Sequence, residues 1–92
     1  MVRSAKELTD TAPSPEVLDK IKGGVQAVPG VLSFHELKVR SSAGLYQMEI
    51  HIVVDGIITV SNGHRISKEV ESHLYKKIEN LSQIIIHVDP DK

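Results

Sequence analysis

The alternation of apolar and polar side chains between Leu45 and Asp55 is the feature that most constrains how this chain can fold. Successive side chains of a β-strand point to opposite faces of its sheet, so this pattern predicts a half-buried strand. The fold must therefore cover one face of that strand and leave the other in water. The apolar face is expected to carry Tyr46, Met48, Ile50, Ile52 and Val54, and the polar face Gln47, Glu49, His51 and Asp55.

Two further segments are typical of strands. Residues 31–40 and residues 82–89 are rich in β-branched and other apolar side chains. The small residues at 41–44 favour a tight hairpin between the first two strands, which are then antiparallel. Pro90 is expected to end the third strand.

An amphipathic helix is predicted to begin at Ser14-Pro15, because serine is a favoured N-cap and proline suits the first helical position. We expect this helix to weaken at Gly23-Gly24, a helix-end feature, and to stop before Pro29. Its apolar face would carry Val17, Leu18, Ile21 and Val25.

A second helix is predicted to open at Ser61-Asn62-Gly63. The resulting order of helix, strand, strand, helix, strand predicts an α+β domain over residues 14–92, with two helices on one face of a three-stranded sheet. The connection through a helix permits a mixed sheet, and residues 1–13 are expected to form a tail or linker. The apolar period of the second helix is Ile66, Val70, Leu74, Ile78 and Leu81.

Charge and composition exclude several classes of function. A formal net charge of -1 without a long basic block argues against a nucleic-acid binder. No apolar run approaches the roughly 18 residues of a membrane-spanning helix, so the chain is expected to be soluble. The sequence has no nucleophile elbow and no glycine-rich phosphate loop, which argues against an enzyme. With no cysteine, the five histidines and the carboxylates are the only candidate metal ligands.

Three of these residues are expected to share the polar face of the sheet. His87 and Asp89 are two positions apart on one strand, about 6.6 Å along the backbone, and can converge on one cation. His51 joins them if the two strands are neighbours. Imidazole and carboxylate ligands suit zinc and similar divalent metals. A hydrolytic zinc site would also need a base, and Glu49 is the same-face carboxylate close to His51.

The other histidines are less straightforward. Strict alternation places His35 on the apolar face, with Leu37 and Val39, unless a bulge follows His35 or His35 precedes regular pairing. His64 lies in the first turn of the second helix, where the helix dipole favours a neutral imidazole. His73 lies in mid-helix near charged residues and is interpreted as an ordinary surface or half-buried residue.

As a set, these residues resemble the landmarks of the cytoplasmic C-terminal domain of cation diffusion facilitators, which are metal exporters of the membrane. The resemblance spans about residues 14–90. It rests on four loose motifs in the right order: Val28-Pro-Gly-Val-Leu-Ser-Phe-His35-Glu-Leu-Lys-Val-Arg40, Gln47-Met-Glu-Ile-His51-Ile, Gly63-His64-Arg-Ile and Ile85-Ile-His87-Val-Asp89-Pro90.

The resemblance implies a ferredoxin-like, metallochaperone-like αββαβ domain that forms a homodimer below the membrane and regulates an attached transporter. It also implies zinc binding, with a partner chain donating one histidine in some members and a carboxylate bridging two metals, here Asp89. The positions that match the family's ligands are His35, His51, His64, His87 and Asp89.

Two other functions stay open on the sequence. The domain could hold two transporter subunits together without metal, or it could be a regulatory domain that senses a small molecule. The identity of the metal is equally open, because imidazole ligands also suit iron, nickel and copper.

Overall fold

A computed structural model describes residues 13–91 and contains the five predicted elements in the predicted order. The three strands form one sheet in chain order, and the central strand is antiparallel to the first strand and parallel to the third. The predicted α+β class and mixed three-stranded sheet are therefore confirmed. Residues 1–12 of the predicted tail lie outside the described residues. The elements are α1 (Pro15–Gln26), β1 (Ser33–Ser42), β2 (Leu45–Asp55), α2 (Val60–Lys77) and β3 (Leu81–Asp91).

The core lies between the two helices and the apolar face of the central strand β2. Met48, Ile50, Ile52 and Val54 are all at most 4% exposed, which confirms the predicted inner face of β2. Since burial of apolar surface contributes about 25 cal/mol per Å², this layer dominates the stability of a domain this small. The helices supply Ile21 and Val25 from α1 and Ile66, Val70 and Leu74 from α2.

Helix α1 begins as predicted, with Ser14 accepting a hydrogen bond from the backbone N–H of Val17 at 3.3 Å. The prediction that Gly23-Gly24 marks a helix end was wrong, because α1 runs through both glycines to Gln26. Gly24 is buried, and a Cβ added there would lie 3.0 Å from Leu74 Cδ2. The missing side chain therefore lets α1 and α2 approach closely.

Two boundaries near the second helix also differ from prediction. Helix α2 begins one residue before Ser61, with Thr59 as its N-cap, and it ends at Lys77. Leu81 therefore belongs to β3 rather than to the helix. It still lies in the core, which is why the apolar period continued past the helix end. Among residues 13–91, no helix is long and apolar enough to cross a membrane.

Strand β3 continues through Pro90, contrary to the prediction that proline would end it. β3 is an edge strand, hydrogen-bonded only to β2 within the described sheet. A proline is tolerated on an edge strand because its missing N–H can face solvent. The strand therefore carries His87 and Asp89 well inside its paired region, where their positions are fixed by the ladder.

Candidate metal centre

The parallel pairing of β2 and β3 places His51 directly opposite His87. Both side chains lie on the face of the sheet opposite the helices, since Ile50 and Ile52 on either side of His51 are fully buried in the core. Asp89 lies two residues beyond His87 and shares that face. The three residues therefore share one face of the sheet as predicted, but His87 and Asp89 do not fall in the same group of candidate ligands.

A β-bulge brings His35 to the same face. His35 pairs with His51 and Lys38 pairs with Glu49, so three steps along β1 match two steps along β2. The additional residue is accommodated at Glu36, whose φ of 52° lies in the left-handed region. The bulge reverses the parity of β1, which is one of the two conditions under which the sequence could place His35 beside His51.

The surface that carries these residues is called the histidine face below. Its central ring is His51, which stacks on His87 at 4.3 Å between ring centroids and on His35 at 5.2 Å. The side chains are partly accessible, from 23% exposed for His51 to 44% for His35. A cation from solvent can therefore reach them. The histidine face consists of His35, Glu49, His51, His87 and Asp89, which form two groups of candidate ligands.

The first group is His35, His51 and Asp89, with one ligand atom from each within 4.8 Å of the others. Asp89 Oδ2 lies 3.1 Å from His35 Nε2 and 3.1 Å from His51 Nδ1. One carboxylate oxygen thus accepts hydrogen bonds from two rings that belong to different strands. A divalent ion bound by these three residues would replace the protons that link Asp89 Oδ2 to the two rings.

The second group is Glu49, His51 and His87, also within 4.8 Å. His87 Nε2 lies 2.8 Å from Glu49 Oε2, the shortest of the histidine–carboxylate contacts described on this face. Sequence reasoning considered Glu49 only as the base of a hydrolytic site. The signal that would have found it is its place two residues before His51 on the polar face of β2.

Glu36 is a third carboxylate beside the histidine face. Its Oε2 lies 3.4 Å from His35 Nδ1 and its Oε1 lies 3.6 Å from His51 Nε2. Sequence reasoning missed this residue, because regular alternation gives no reason for a side chain at the bulge to turn towards both rings. Its position suits a carboxylate that orients histidine ligands through their second nitrogen.

Hydrogen bonds from the rings hold two of the carboxylates in their charged form. The hydrogen bond with His51 is the largest cause of a lowered pKa for Asp89, and partial desolvation opposes it. The hydrogen bond with His87 likewise lowers the pKa of Glu49, and the nearby Lys38 adds to the effect. Both carboxylates are therefore ionised at neutral pH, as a metal ligand must be.

The structure does not bring His64 to the histidine face of the same chain. His64 is exposed in the first turn of α2 and borders grooves lined by Ile86 and Ser67. Ile86 packs against the core, so His64 lies on the helix side of the sheet. The start of α2 does not bring His64 to the face within one chain, and donation of this ligand by a partner chain stays a prediction. His73 is half-buried on α2 and belongs to neither candidate group.

Comparison with known proteins identifies the family of this chain. The sequence of residues 13–91 matches the family described as cation efflux protein, cytoplasmic domain. Metal tolerance protein C1 of Arabidopsis thaliana is 31% identical over 88 residues, covering 96% of this chain and 19% of that protein. The cation-efflux pump FieF of Shigella flexneri serotype 5b is 29% identical over 87 residues, covering 95% and 29%. The chain thus spans less than a third of the length of these relatives.

Solved structures share the fold. A cadmium form of the MamM CTD superposes with a TM-score of 0.80 at 24% identity, covering 85% of this chain and 98% of that one. A nickel form superposes with a TM-score of 0.81 at 23% identity, covering 86% and 100%. The resemblance stated from the sequence motifs is therefore confirmed. The chain belongs to the cation efflux protein family and corresponds to its cytoplasmic domain.

Proposed function

We propose that this domain binds a divalent transition metal, zinc in the first place, on the histidine face, and that binding strengthens a homodimer which regulates an attached cation efflux transporter. The observation that carries the proposal is the convergence of His35, His51 and Asp89 from three different strands. Imidazole rings drawn from separate elements into contact with one carboxylate oxygen form a ready set of ligands rather than scattered surface histidines.

The chemistry of the donor set fits zinc. Neutral imidazole nitrogen and carboxylate oxygen are both zinc ligands, and a tetrahedral site takes about four. The same donors suit nickel, manganese and cadmium to different degrees. The relatives support the coarser class, since one is named a manganese efflux system protein and MamM CTD structures are described as cadmium and nickel forms. Calorimetry with several metals would test whether the domain binds zinc most tightly.

Regulation follows from charge and from ligands supplied by more than one element. Glu36, Glu49 and Asp89 bring negative charge to a small area of the sheet. A bound cation offsets that repulsion. If His64 of a second copy completes the site, the dimer binds metal more tightly than the monomer does, and metal shifts the equilibrium by that difference in affinity. The transporter to which the domain is attached then responds to the cytosolic metal concentration.

A metal-independent dimerisation module is the second candidate, and exposed apolar side chains favour it. Ile57 and Val60 are each 90% exposed and Val88 is 38% exposed. Val60 and Val88 line an open groove of about 410 Å³ beside the start of α2. Two copies that cover these side chains could associate without any ligand, since burial of apolar surface alone favours association.

Zinc titration by calorimetry of the wild type, His51→Ala and His73→Ala tests the proposal. His51 belongs to both ligand groups, so its loss should weaken binding by more than about a hundredfold, beyond the 10- to 100-fold typical of outer-shell partners. His73 lies outside both groups, so His73→Ala should bind zinc like the wild type. Equal affinity of all three proteins, or no heat with zinc, manganese, nickel or cadmium, would contradict metal binding.

Sedimentation equilibrium separates the two candidates. A dimer that tightens on addition of zinc and loosens with a chelator supports regulation by metal. A dimer of unchanged affinity in both conditions supports the metal-independent module. A second variant, His64→Ala, should leave the apo dimer unchanged and reduce its response to zinc if the partner chain donates this ligand.

A further inference from the structure

The side of the sheet opposite the helices continues beyond the histidine face with a different set of side chains. In a paired sheet one residue from each strand meets in a row, and successive rows on one side are about 6.6 Å apart. His35, His51 and His87 form one such row. The next two rows bring together cationic, amide, carboxylate and apolar side chains: Lys38, Glu49 and Ile85, and then Arg40, Gln47 and Gln83.

These two rows line an open pocket of about 330 Å³, which is called the cationic pocket below. Its volume lies at the lower end of the range of about 300–1,000 Å³ that is typical of sites for small organic molecules. Ile85 is 45% exposed and gives the pocket an apolar surface. The pocket can therefore hold a small organic molecule as well as a single ion. On this side of the sheet its lining residues are Lys38, Arg40, Gln47, Glu49, Gln83 and Ile85.

Two positive charges in this pocket are free to meet a ligand. Arg65 and Lys68 on α2 each form an ion pair, whereas neither Lys38 nor Arg40 forms one with another residue of the range 13–91. Like charges on neighbouring rows repel each other, and an anion between them would offset that repulsion. The guanidinium of Arg40 also presents a planar fork of donors that matches a carboxylate or a phosphate group.

The neutral groups of the pocket add hydrogen-bond donors. Gln47 Nε2 donates to Ser82 Oγ at 3.4 Å, and because an amide nitrogen carries two protons, Gln47 keeps one donor for a ligand. Gln83 places a second amide directly beside it on β3. The carboxylate in the lining is Glu49, whose Oε2 lies 2.8 Å from His87 Nε2 and so is turned towards the histidine face. Donors therefore outnumber acceptors in the pocket.

We propose that the cationic pocket binds a small organic anion through a carboxylate or phosphate group. Arg40 and Lys38 supply the charged contacts, and the two glutamine amides supply neutral hydrogen bonds. This inference goes beyond the proposed function, because the anion site requires no metal. Glu49 repels the anion, so Glu49→Gln should tighten its binding by a factor of about two to five, a modest effect since the charges are exposed to solvent.

The test is a titration of the metal-free chain with succinate, glycerol phosphate and inorganic phosphate, followed by nuclear magnetic resonance of the backbone and side-chain amides. We expect saturable shifts confined to the cationic pocket, with a dissociation constant of about 0.1–5 mM. Arg40→Gln and Lys38→Gln should each weaken binding about tenfold, because each removes a hydrogen bond to a charged group. Lys20→Gln is the matched control, since Lys20 is exposed on α1 and its loss changes the net charge equally.

The three anions identify the group that is recognised. Saturation by succinate supports a carboxylate ligand and saturation by glycerol phosphate a phosphate ligand, while uncharged succinamide should cause no shifts. The proposal is overturned if no anion gives saturable shifts up to about 50 mM, or if Lys20→Gln weakens binding as much as Arg40→Gln does. The amide spectrum also reports the fold of each variant, which should be native because Gln47 and Gln83 already place glutamines on this side of the sheet. Because metal is absent, the result does not depend on zinc binding.

Discussion

The two faces of strand β2 have opposite chemistry although they alternate residue by residue along one segment. On the helix side, Ile50 and Ile52 are fully buried, and their contacts are apolar. On the histidine face, His51 and Glu49 are partly accessible and contact charged or titratable groups from β1 and β3. The pleat of a single strand thus separates the residues that hold the fold together from those proposed to bind metal. Substitutions on one face should leave the property of the other largely intact.

Ile50→Ala should have the largest effect on stability. Ile50 is fully buried at the centre of the sheet, and truncating such a side chain to alanine costs about 2–5 kcal/mol from lost burial and the remaining cavity. The free energy of unfolding, measured in urea without metal, checks this. His51 is the next residue and lies on the other face. His51→Ala should lower the free energy of unfolding by less than about 1 kcal/mol in the same experiment. Equal losses for the two variants would contradict the separation of the faces.

Gly30→Ala should have the next largest effect, because it disturbs the helix side of the sheet from a loop. Gly30 has a φ of 100°, and a Cβ there would lie 2.7 Å from Ile66 Cδ1 in the core. The strained backbone and the overlap should lower the free energy of unfolding by about 1–3 kcal/mol. Gly23→Ala is the matched control, since nothing lies within 4 Å of its added Cβ and alanine favours a helix interior. A neutral Gly30→Ala would contradict the close packing of this loop on α2.

The helix side was largely predictable from the sequence, because residues that face the core must be apolar and recur at a regular spacing along each helix and strand. The inner face of β2, the N-cap at Ser14 and the order of elements follow from local rules. Errors arose where tertiary contact decides. Gly24 is tolerated in α1 by packing against Leu74, and Pro90 is tolerated in β3 because the strand lies at an edge.

The histidine face was predictable only in part. The places of His51, His87 and Asp89 follow from alternation and strand order. The place of His35 depends on a bulge, which one additional residue in β1 creates and which the sequence could only offer as an alternative. The hydrogen bond between the side chains of Glu49 and His87 depends on the register between β2 and β3, and no local pattern fixes that register.

Deleting Glu36 would test whether the bulge decides which residues of β1 lie on each face of the sheet. The deletion removes the additional residue of the bulge, so His35 can stay opposite His51 while Leu37 pairs regularly with Ile50 on the helix side. It also removes a left-handed backbone conformation that costs about 1–2 kcal/mol in a residue other than glycine. We expect stability to rise by about 1 kcal/mol, and calorimetry should show zinc affinity reduced by no more than about 10- to 100-fold, because the deletion removes only a carboxylate that orients the rings.

A loss of zinc binding on this deletion, with the fold intact, would have a definite meaning. It would show that Glu36 itself, rather than the parity of the strand, is required on the histidine face. Glu36→Gln is the variant that distinguishes these two roles, since it keeps the bulge and removes only the charge.

The smallest expected effect is a dependence of stability on pH that belongs to the histidine face alone. The pKa values of Asp89 and Glu49 are lowered from 3.8 and 4.5 by hydrogen bonds with His51 and His87. A lowered pKa in the folded state adds stability that is fully present above the ordinary value and is lost as the pH falls through the lowered one. Unfolding in urea without metal should therefore become easier below about pH 4. Asp89→Asn should reduce this slope, whereas Ile50→Ala should lower stability without changing it.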